Sequence, residues 1–154
     1  QFRAFLFGVS RAIDYRTIRP HLQPEELRRI IVGESDFTAD NLRHNCSTLV
    51  TEDTAHLHEW LYEIIDEFTP LQRKQLLIFF TALHVLPLGG FGALEVPANV
   101  VILPGVVTQE KLDKILPEAS TCFNRLKLYN YSSKSVMKSN LIMAIENCGG
   151  FFME

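Results

Sequence analysis

Apolar residues recur every three or four positions near the start of the chain, a period that predicts short amphipathic helices. The first helical pattern carries Phe2, Phe5, Leu6, Val9 and Ile13. A second helix should begin at Pro24, with acids in its first turn, and end at Gly33, because Pro favours helix starts and Gly favours helix ends. A third short helix is predicted over 38–42.

Two longer helical patterns follow a polar, aperiodic stretch. Capping residues at 51–54 precede a pattern that runs to Ile65, and Thr69-Pro70 opens the next one, which runs to Phe80. The segment 86–92 holds three Gly and one Pro in seven residues, so it should form a loop.

The period then changes to one typical of strands. A β-branched run at 100–103 and an alternating run at 124–129 predict two strands, with one or two helical turns at 109–116 between them. A final helix should follow Ser133 and break at Cys148-Gly149-Gly150. The predicted class is α+β, mostly helical, with helices around a small sheet late in the chain.

Composition excludes several classes of function. The chain has 154 residues, of which 47% are hydrophobic, and a net charge of -3 without a basic stripe, so nucleic-acid binding is not expected. No apolar run reaches the ~18 residues of a membrane span. The apolar start is short and lacks a cleavage-like region, so no signal peptide is expected, and the missing initiator Met suggests a fragment of a longer protein.

The three cysteines, Cys46, Cys122 and Cys148, are odd in number and widely spaced. This is no disulfide framework, and it fits a reducing compartment, the cytosol or the nucleus. Cys122 lies in a polar turn before an alternating segment, which favours a presented thiol. A small buried hydrophobe is an equally good interpretation of position alone. A free thiol, with a pKa of about 8.5, already attacks thioesters without a strong base.

The sequence gives weaker support to other kinds of functional site. A cysteine protease needs a partner His, and none of the five histidines has a protease context. A metal site from His44, Cys46, His56 and His58 matches no zinc spacing, and solvated histidines are the favoured interpretation. The Gly-rich segment 89–92 lacks the phosphate-loop pattern, so a turn is expected there. No metal and no cofactor are predicted.

Several motifs together resemble the HECT ubiquitin ligases. Residues 116–128 resemble the family's L-P-x-x-x-T-C-F-N-x-L-x-L signature, and 86–91 its L-P-x-G-G-F loop. The segment 68–80 resembles the helix before that loop, 131–133 the Y-x-S after the catalytic strand, and 144–151 the closing A-I…G-F. The motifs occur in the family's order with similar separations.

The resemblance implies a domain organisation. Residues 51–154 would be the catalytic C-terminal lobe, 44–50 a flexible hinge, and 1–43 the last helices of the N-terminal lobe, where 24–27 and 31–33 resemble P-E-E-L and L-x-x-G. The part of the N-terminal lobe that docks the E2 conjugating enzyme would then be missing from this chain.

The resemblance also implies the roles of individual residues. Cys122 would accept ubiquitin from an E2 as a thioester and pass it to a lysine of a protein substrate or of ubiquitin. Thr121, Phe123 and Asn124 would shape the loop and contact the ubiquitin tail. A tail aromatic needed for ligation would be Phe151, and the carboxylates of Glu154 would orient or deprotonate the lysine.

The chain departs from the family pattern at three places. Ser120 replaces a frequent His, 128–131 replaces the frequent L-P-x-Y and loses its proline, and 80–84 replaces the usual V/T-T-G. The alternative from another class is a non-catalytic module that keeps the fold and binds ubiquitin or a partner.

Overall fold

The computed structural model describes residues 2–12, 17, 20–48, 52–104 and 107–149. The chain divides into two compact units, Gln1–Gly33 and Glu34–Glu154. Their elements are helices α1 (Phe2–Ala12), α2 (Pro24–Val32), α3 (Ala39–Asn45), α4 (Ala55–Glu67), α5 (Pro70–Thr81), α6 (Gln109–Leu112) and α7 (Lys134–Gly149), and strands β1 (Ser47–Thr48), β2 (Asn99–Leu103), β3 (Glu118–Ser120) and β4 (Arg125–Tyr129).

The first unit contains α1 and α2, both predicted from the apolar period. Pro24 occupies the first turn of α2, and the Gln23 N–H donates to the Glu26 carboxylate at 2.7 Å. The helix ends at Gly33, whose φ of 80° favours glycine. No residue of α2 is buried in the described structure, and Ile30 and Ile31 stay exposed.

The second unit is built on a four-stranded sheet in the order β1-β2-β4-β3. Strands β1, β2 and β4 run parallel, whereas β3 pairs with β4 antiparallel. One face is buried, because alternate residues of β2 and β4 point into the core. Those residues are Val100, Ile102, Leu126 and Leu128.

Helices α4, α5 and α7 supply most of the remaining core, and α7 packs against both of the others. Their fully buried residues are Leu57, Leu61, Ile64, Ile65, Leu76, Leu77, Phe80, Met137, Leu141 and Ile145. Each such side chain stabilises the fold by about 1.5–3 kcal/mol relative to an exposed one. The α+β prediction is confirmed, although the sheet also contains β1 and β3, two strands of two and three residues that the sequence pattern did not predict.

The predicted lobe boundaries stay a prediction, but the segment 34–48 has a definite place in the second unit. Phe37 and Leu42 lie in its core, and the Glu34 backbone pairs with Leu86. The predicted hinge 44–50 begins in α3 and continues into β1, while 49–51 lie outside the described residues.

The Gly-rich loop is held by Asn41 of α3. Asn41 Oδ1 accepts from the Phe91 N–H at 3.0 Å, and Phe91 is buried. Gly90 has a φ of 68°, and a Cβ there would lie 2.3 Å from Asn41 Oδ1. Gly89 also has a positive φ, but a Cβ there would meet only Ala93, at 3.5 Å. The predicted turn is confirmed, and its second glycine is required for close approach as well as for conformation.

We therefore expect Gly90→Ala to destabilise the fold by roughly 2 kcal/mol or more, because left-handed strain adds to the clash with Asn41. Gly89→Ala is the matched control and should cost only the strain, about 1 kcal/mol. Chemical denaturation of both variants measures the difference. Equal losses would show that the contact with Asn41 contributes nothing.

A cluster of ion pairs joins α4 to α7. Lys134 Nζ lies 2.7 Å from both Glu63 and Glu67, and Lys138 Nζ lies 2.6 Å from Glu67. The hydrogen bond from Lys134 is the main reason, and the one from Lys138 the second, why the pKa of Glu67 is lowered to about 2. The carboxylate is exposed, so each pair contributes little by itself.

The pH dependence of stability should report this cluster. The folded pKa of Glu67, about 2, lies below its unfolded value of about 4.3, so its contribution is complete above pH ~4.3 and disappears as the pH falls through ~2. Glu67→Gln should therefore lower the thermal midpoint at pH 6, and the difference from the unmutated chain should shrink between pH 4.3 and 2. Glu110→Gln, which removes one exposed pair with Lys114, is the control and should have little effect. A difference that does not depend on pH would contradict the assignment.

Candidate active site

Cys122 lies at the tip of a β-hairpin. Strand β3 ends at Ser120, the residues Thr121–Phe123 form one turn of 3-10 helix, and β4 begins at Arg125. The Cys122 side chain is exposed. The thiol is therefore presented to solvent, and the alternative of a small buried hydrophobe is wrong.

Asn124 closes this turn. It adopts the left-handed conformation, with φ 45° and ψ 43°, which Asn tolerates better than most residues. Its N–H donates to the Thr121 carbonyl at 3.1 Å, and its Nδ2 donates to the Val96 carbonyl at 2.7 Å. The backbone on the C-terminal side of Cys122 is thus fixed by two hydrogen bonds.

The turn is also tied to the neighbouring parallel strand. The Asn99 N–H donates to the Asn124 carbonyl at 2.9 Å. The Asn99 side chain donates on the other side to the Ser47 carbonyl at 2.9 Å and to the Ser47 hydroxyl at 3.0 Å. A single residue therefore connects strand β1 with the turn that carries Cys122.

The segment that leads into β3 is anchored by the residues between β4 and α7 and by one residue within α7. The buried Tyr131 donates its hydroxyl to the Ile115 carbonyl at 2.9 Å, and Asn140 Nδ2 donates to the Asp113 carbonyl at 2.9 Å. The Ser132 hydroxyl and N–H donate to the Asp113 carboxylate, and the hydroxyl bond is the main reason why the pKa of Asp113 is lowered. Both ends of the hairpin are therefore held by hydrogen bonds.

The outer face of the hairpin carries charged and aromatic groups. Tyr129 donates its hydroxyl to Glu118 at 2.7 Å, and Lys127 Nζ lies 3.4 Å from the same carboxylate. Both interactions lower the pKa of Glu118, the Tyr129 hydrogen bond most. Nearer to the turn, the Arg125 guanidinium lies 5.7 Å from the centre of the Phe123 ring, and that ring is 60% exposed.

The second described thiol differs from the first. Cys46 is half-buried against the core, and burial raises its pKa to about 12. Such a thiol is almost entirely protonated at neutral pH and is a poor nucleophile.

The histidines considered as metal ligands do not come together. Within the described ranges, no group of three or more His, Cys, Asp or Glu side chains is arranged to hold a metal ion. His56 is exposed and meets the Trp60 ring edge-on, with 4.8 Å between the ring centres. His58, in contrast, is buried, with only 3% of its surface exposed. The interpretation of these histidines as solvated is therefore wrong for His58, because its side of α4 faces the core.

The structure brings four of the predicted site residues together. Thr121, Cys122, Phe123 and Asn124 are consecutive in the turn, with the first three exposed. Phe151 and Glu154 lie outside the described residues.

Sequence reasoning missed Asn99, whose contacts link β1 to the turn. Its partners are 52 positions earlier and 25 later in the chain, so no local pattern marks it. The anchoring role of Tyr131 shows no local signal either, because its hydroxyl donates to the carbonyl of Ile115, 16 positions earlier in the chain.

None of the described helices is long and apolar enough to cross a membrane.

The chain matches the HECT-domain (ubiquitin-transferase) family over residues 1–154. It is 35% identical to ubiquitin fusion degradation protein 4 of Saccharomyces cerevisiae, covering 99% of this chain and 10% of that protein. It is 31% identical to the E3 ubiquitin-protein ligase pub1 of Schizosaccharomyces pombe, and the match covers 100% of this chain and 20% of that protein. It is 30% identical to the E3 ubiquitin-protein ligase etc-1 of Caenorhabditis elegans, and the match covers 94% of this chain and 14% of that protein.

The chain thus spans between 10% and 20% of the length of these curated relatives. The family match covers the whole sequence, and the resemblance inferred from the cysteine signature and the Gly-rich loop is confirmed. This chain belongs to the HECT-domain family of ubiquitin transferases.

Proposed function

We propose that this chain is the catalytic part of an E3 ubiquitin transferase in which Cys122 carries ubiquitin as a thioester. The observation that supports this most is the exposed thiol on a turn whose backbone is fixed from both sides. A thiol that must reach a bulky protein donor and then a lysine has to be accessible, and it has to be held in a reproducible position.

The proposed chemistry has two steps. The Cys122 thiolate attacks the carbonyl of the E2–ubiquitin thioester, so that a new C–S bond forms and the E2 thiolate leaves. A neutral lysine amine then attacks the same carbonyl, a C–N bond forms, and the Cys122 thiolate departs. The first step exchanges one thioester for another at nearly equal energy, so Cys122 needs no strong base beside it. The second step needs a group that removes the proton of the amine.

The remaining roles belong to the same proposal. Thr121, Phe123 and Asn124 would contact the ubiquitin tail, Phe151 would support ligation, and a carboxylate of Glu154 would orient or deprotonate the lysine. The partners would be ubiquitin, an E2 and a protein substrate. A reducing compartment, the cytosol or nucleus, would keep the thiol free.

The first expected outcome concerns the reactivity of the free thiols. Iodoacetamide at pH 7.5 should alkylate Cys122 roughly a hundredfold faster than Cys46, because Cys46 is half-buried and its pKa is raised to about 12. Peptide mapping after timed quenching measures both rates in one sample. Comparable rates would contradict the presented-thiol geometry.

The deciding experiment is thioester formation in a single turnover. Ubiquitin-charged E2 is mixed with the full-length protein that carries this sequence, and a small-molecule ubiquitin thioester is mixed with this chain alone, which removes the need for an E2 dock. We expect a ubiquitin adduct that reductant cleaves. Cys122→Ser should give no adduct or one that resists reductant, whereas Cys46→Ala is the matched control and should leave the labile adduct intact.

Absence of the labile adduct from both proteins would contradict a thioester carrier. Ubiquitin binding without an adduct would then favour the non-catalytic module. Hydrolysis of ubiquitin conjugates that depends on Cys122 would instead favour a cysteine protease.

A further inference from the structure

The short edge strand β1 is linked by hydrogen bonds to the turn that carries Cys122. It has only two residues, which pair with the first two residues of β2. Strands in globular proteins usually have about three to ten residues, so two backbone pairs alone hold β1 weakly. Two groups strengthen the attachment. The Ser47 N–H donates to the Ala98 carbonyl at 2.9 Å, and Asn99 Nδ2 donates to the Ser47 carbonyl and hydroxyl.

The orientation of the Asn99 amide shows which contact it serves. A carbonyl can only accept a hydrogen bond, so the group that faces the Ser47 carbonyl has to be the NH₂ group of Asn99. The oxygen of the same amide, Oδ1, is buried and makes no hydrogen bond within the described part of the chain. An unmatched buried acceptor is unfavourable, so the amide keeps this orientation for its two bonds to Ser47.

The segment 96–99 supports the Cys122 turn at both of its ends. At one end, the Val96 carbonyl accepts from Asn124 Nδ2 at 2.7 Å. At the other end, the Asn99 N–H donates to the Asn124 carbonyl at 2.9 Å. Asn124 is the residue that ends the turn, so the backbone position of Cys122 depends on where this segment lies.

We propose that β1 is a positioning element for Cys122 and acts on the turn through the segment 96–99. The donor–acceptor distances along this path, from Ser47 to Asn99 and from Asn99 to Asn124, lie between 2.9 and 3.0 Å. Ser47 and Asn99 are then positioning residues, and neither is assigned a contact with the reacting atoms. The inference rests on the proposed thioester function and adds to it the strand that holds the nucleophile in place.

The physical alternative is that the segment 96–99 is held without β1. Ala98 is fully buried, and β2 pairs with β4 over five residues, so these contacts also restrain the same backbone. Asn99, however, is the first residue of β2, and the ends of elements open more easily than their centres. Loss of β1 should therefore loosen the start of β2 and the turn bonded to it while the core stays folded. A displacement of about 1 Å at a nucleophile is enough to slow a reaction substantially.

Two variants detach β1 from opposite sides. Asn99→Leu keeps the branched shape of the side chain and removes both donations to Ser47. Ser47→Pro leaves Asn99 unchanged and removes the N–H and the hydroxyl of residue 47. The preceding residue, Cys46, has φ −100° and ψ 131°, a conformation that a following proline allows. Glu67→Gln is the control for stability, because its ion pairs join α4 to α7 and not to the sheet.

Three readouts are measured on each variant, and thermal midpoints are recorded alongside. Hydrogen exchange of the Asn99 and Asn124 amides reports the start of β2 and the closure of the turn, and it needs no ubiquitin. The single-turnover rate of thioester formation from the small-molecule ubiquitin thioester, at saturating and half-saturating donor, reports how well the nucleophile is positioned. Alkylation of Cys122 by iodoacetamide reports the reactivity of the thiol itself.

We expect Asn99→Leu and Ser47→Pro each to speed exchange of both amides roughly tenfold and to slow thioester formation at saturating donor roughly tenfold. The half-saturating donor concentration should not change, and the double variant should be no slower than the slower single variant, because both remove the same attachment. Iodoacetamide is small and needs no positioning, so its rate with Cys122 should stay the same. Glu67→Gln should lower the thermal midpoint and leave the other three readouts unchanged.

Unchanged exchange of both amides in the two β1 variants would overturn the proposal and show that Ala98 and the β2–β4 pairing hold the turn alone. Additive losses in the double variant, or thioester rates that follow the thermal midpoint across all variants, would overturn it as well. If Ser47→Pro does not fold, Ser47→Ala removes only the hydroxyl and should give a loss of roughly threefold in the same direction. Failure of the unmutated chain to form a thioester would contradict the proposed function instead, and the exchange rates would still decide whether β1 holds the turn.

Discussion

The parallel pairing of β2 with β4 is the interaction on which the position of Cys122 depends. It places five consecutive residue pairs in register, from Asn99 with Arg125 to Leu103 with Tyr129. Within the sheet, β3 pairs only with β4 and is an edge strand of three residues. The turn between β3 and β4 takes its position from β4, which is paired with β2, and from α5, which contacts both β3 and the turn. A thiol at such a turn can be fully exposed and still be held firmly.

Stability and chemistry are separated between the two faces of this sheet. The buried face is apolar and packs on the long helices, so it supplies the free energy that keeps the fold together. The outer face carries the ion pair of Lys127 with Glu118, the Tyr129 hydroxyl and the exposed ring of Phe123. The contacts of Asp113 with Ser132 act at a third place, the entry to β3. Changes at the outer face can therefore alter the site while the core stays intact.

The helices were predictable from the sequence because their signals are local. Thr69 and Pro70 mark the start of α5, and the structure shows Thr69 accepting from the Gln72 N–H while Gln72 accepts from the Thr69 N–H. The polar turn before an alternating strand indicated an exposed thiol, but the position alone left a small buried hydrophobe equally good, and only the structure decided between them. Strands β1 and β3 were not predictable, because two or three residues show no period. The contacts of Asn99 were invisible for a different reason: they join three segments that only the folded sheet brings together.

The departures from the family signature do not weaken the site geometry. The family's proline would stand at position 129, the last residue of β4, and would stiffen the exit from the strand by restricting the backbone. Here the Tyr131 N–H donates to the Tyr129 carbonyl at 2.8 Å, and the buried Tyr131 side chain anchors the same segment to Ile115. These two hydrogen bonds of Tyr131 restrict the segment after β4, as a proline ring would. Ser120, which replaces a frequent His, is paired with Arg125 in the antiparallel ladder, so it keeps the hairpin in register. The turn that carries the thiol is built from contacts that survive both replacements.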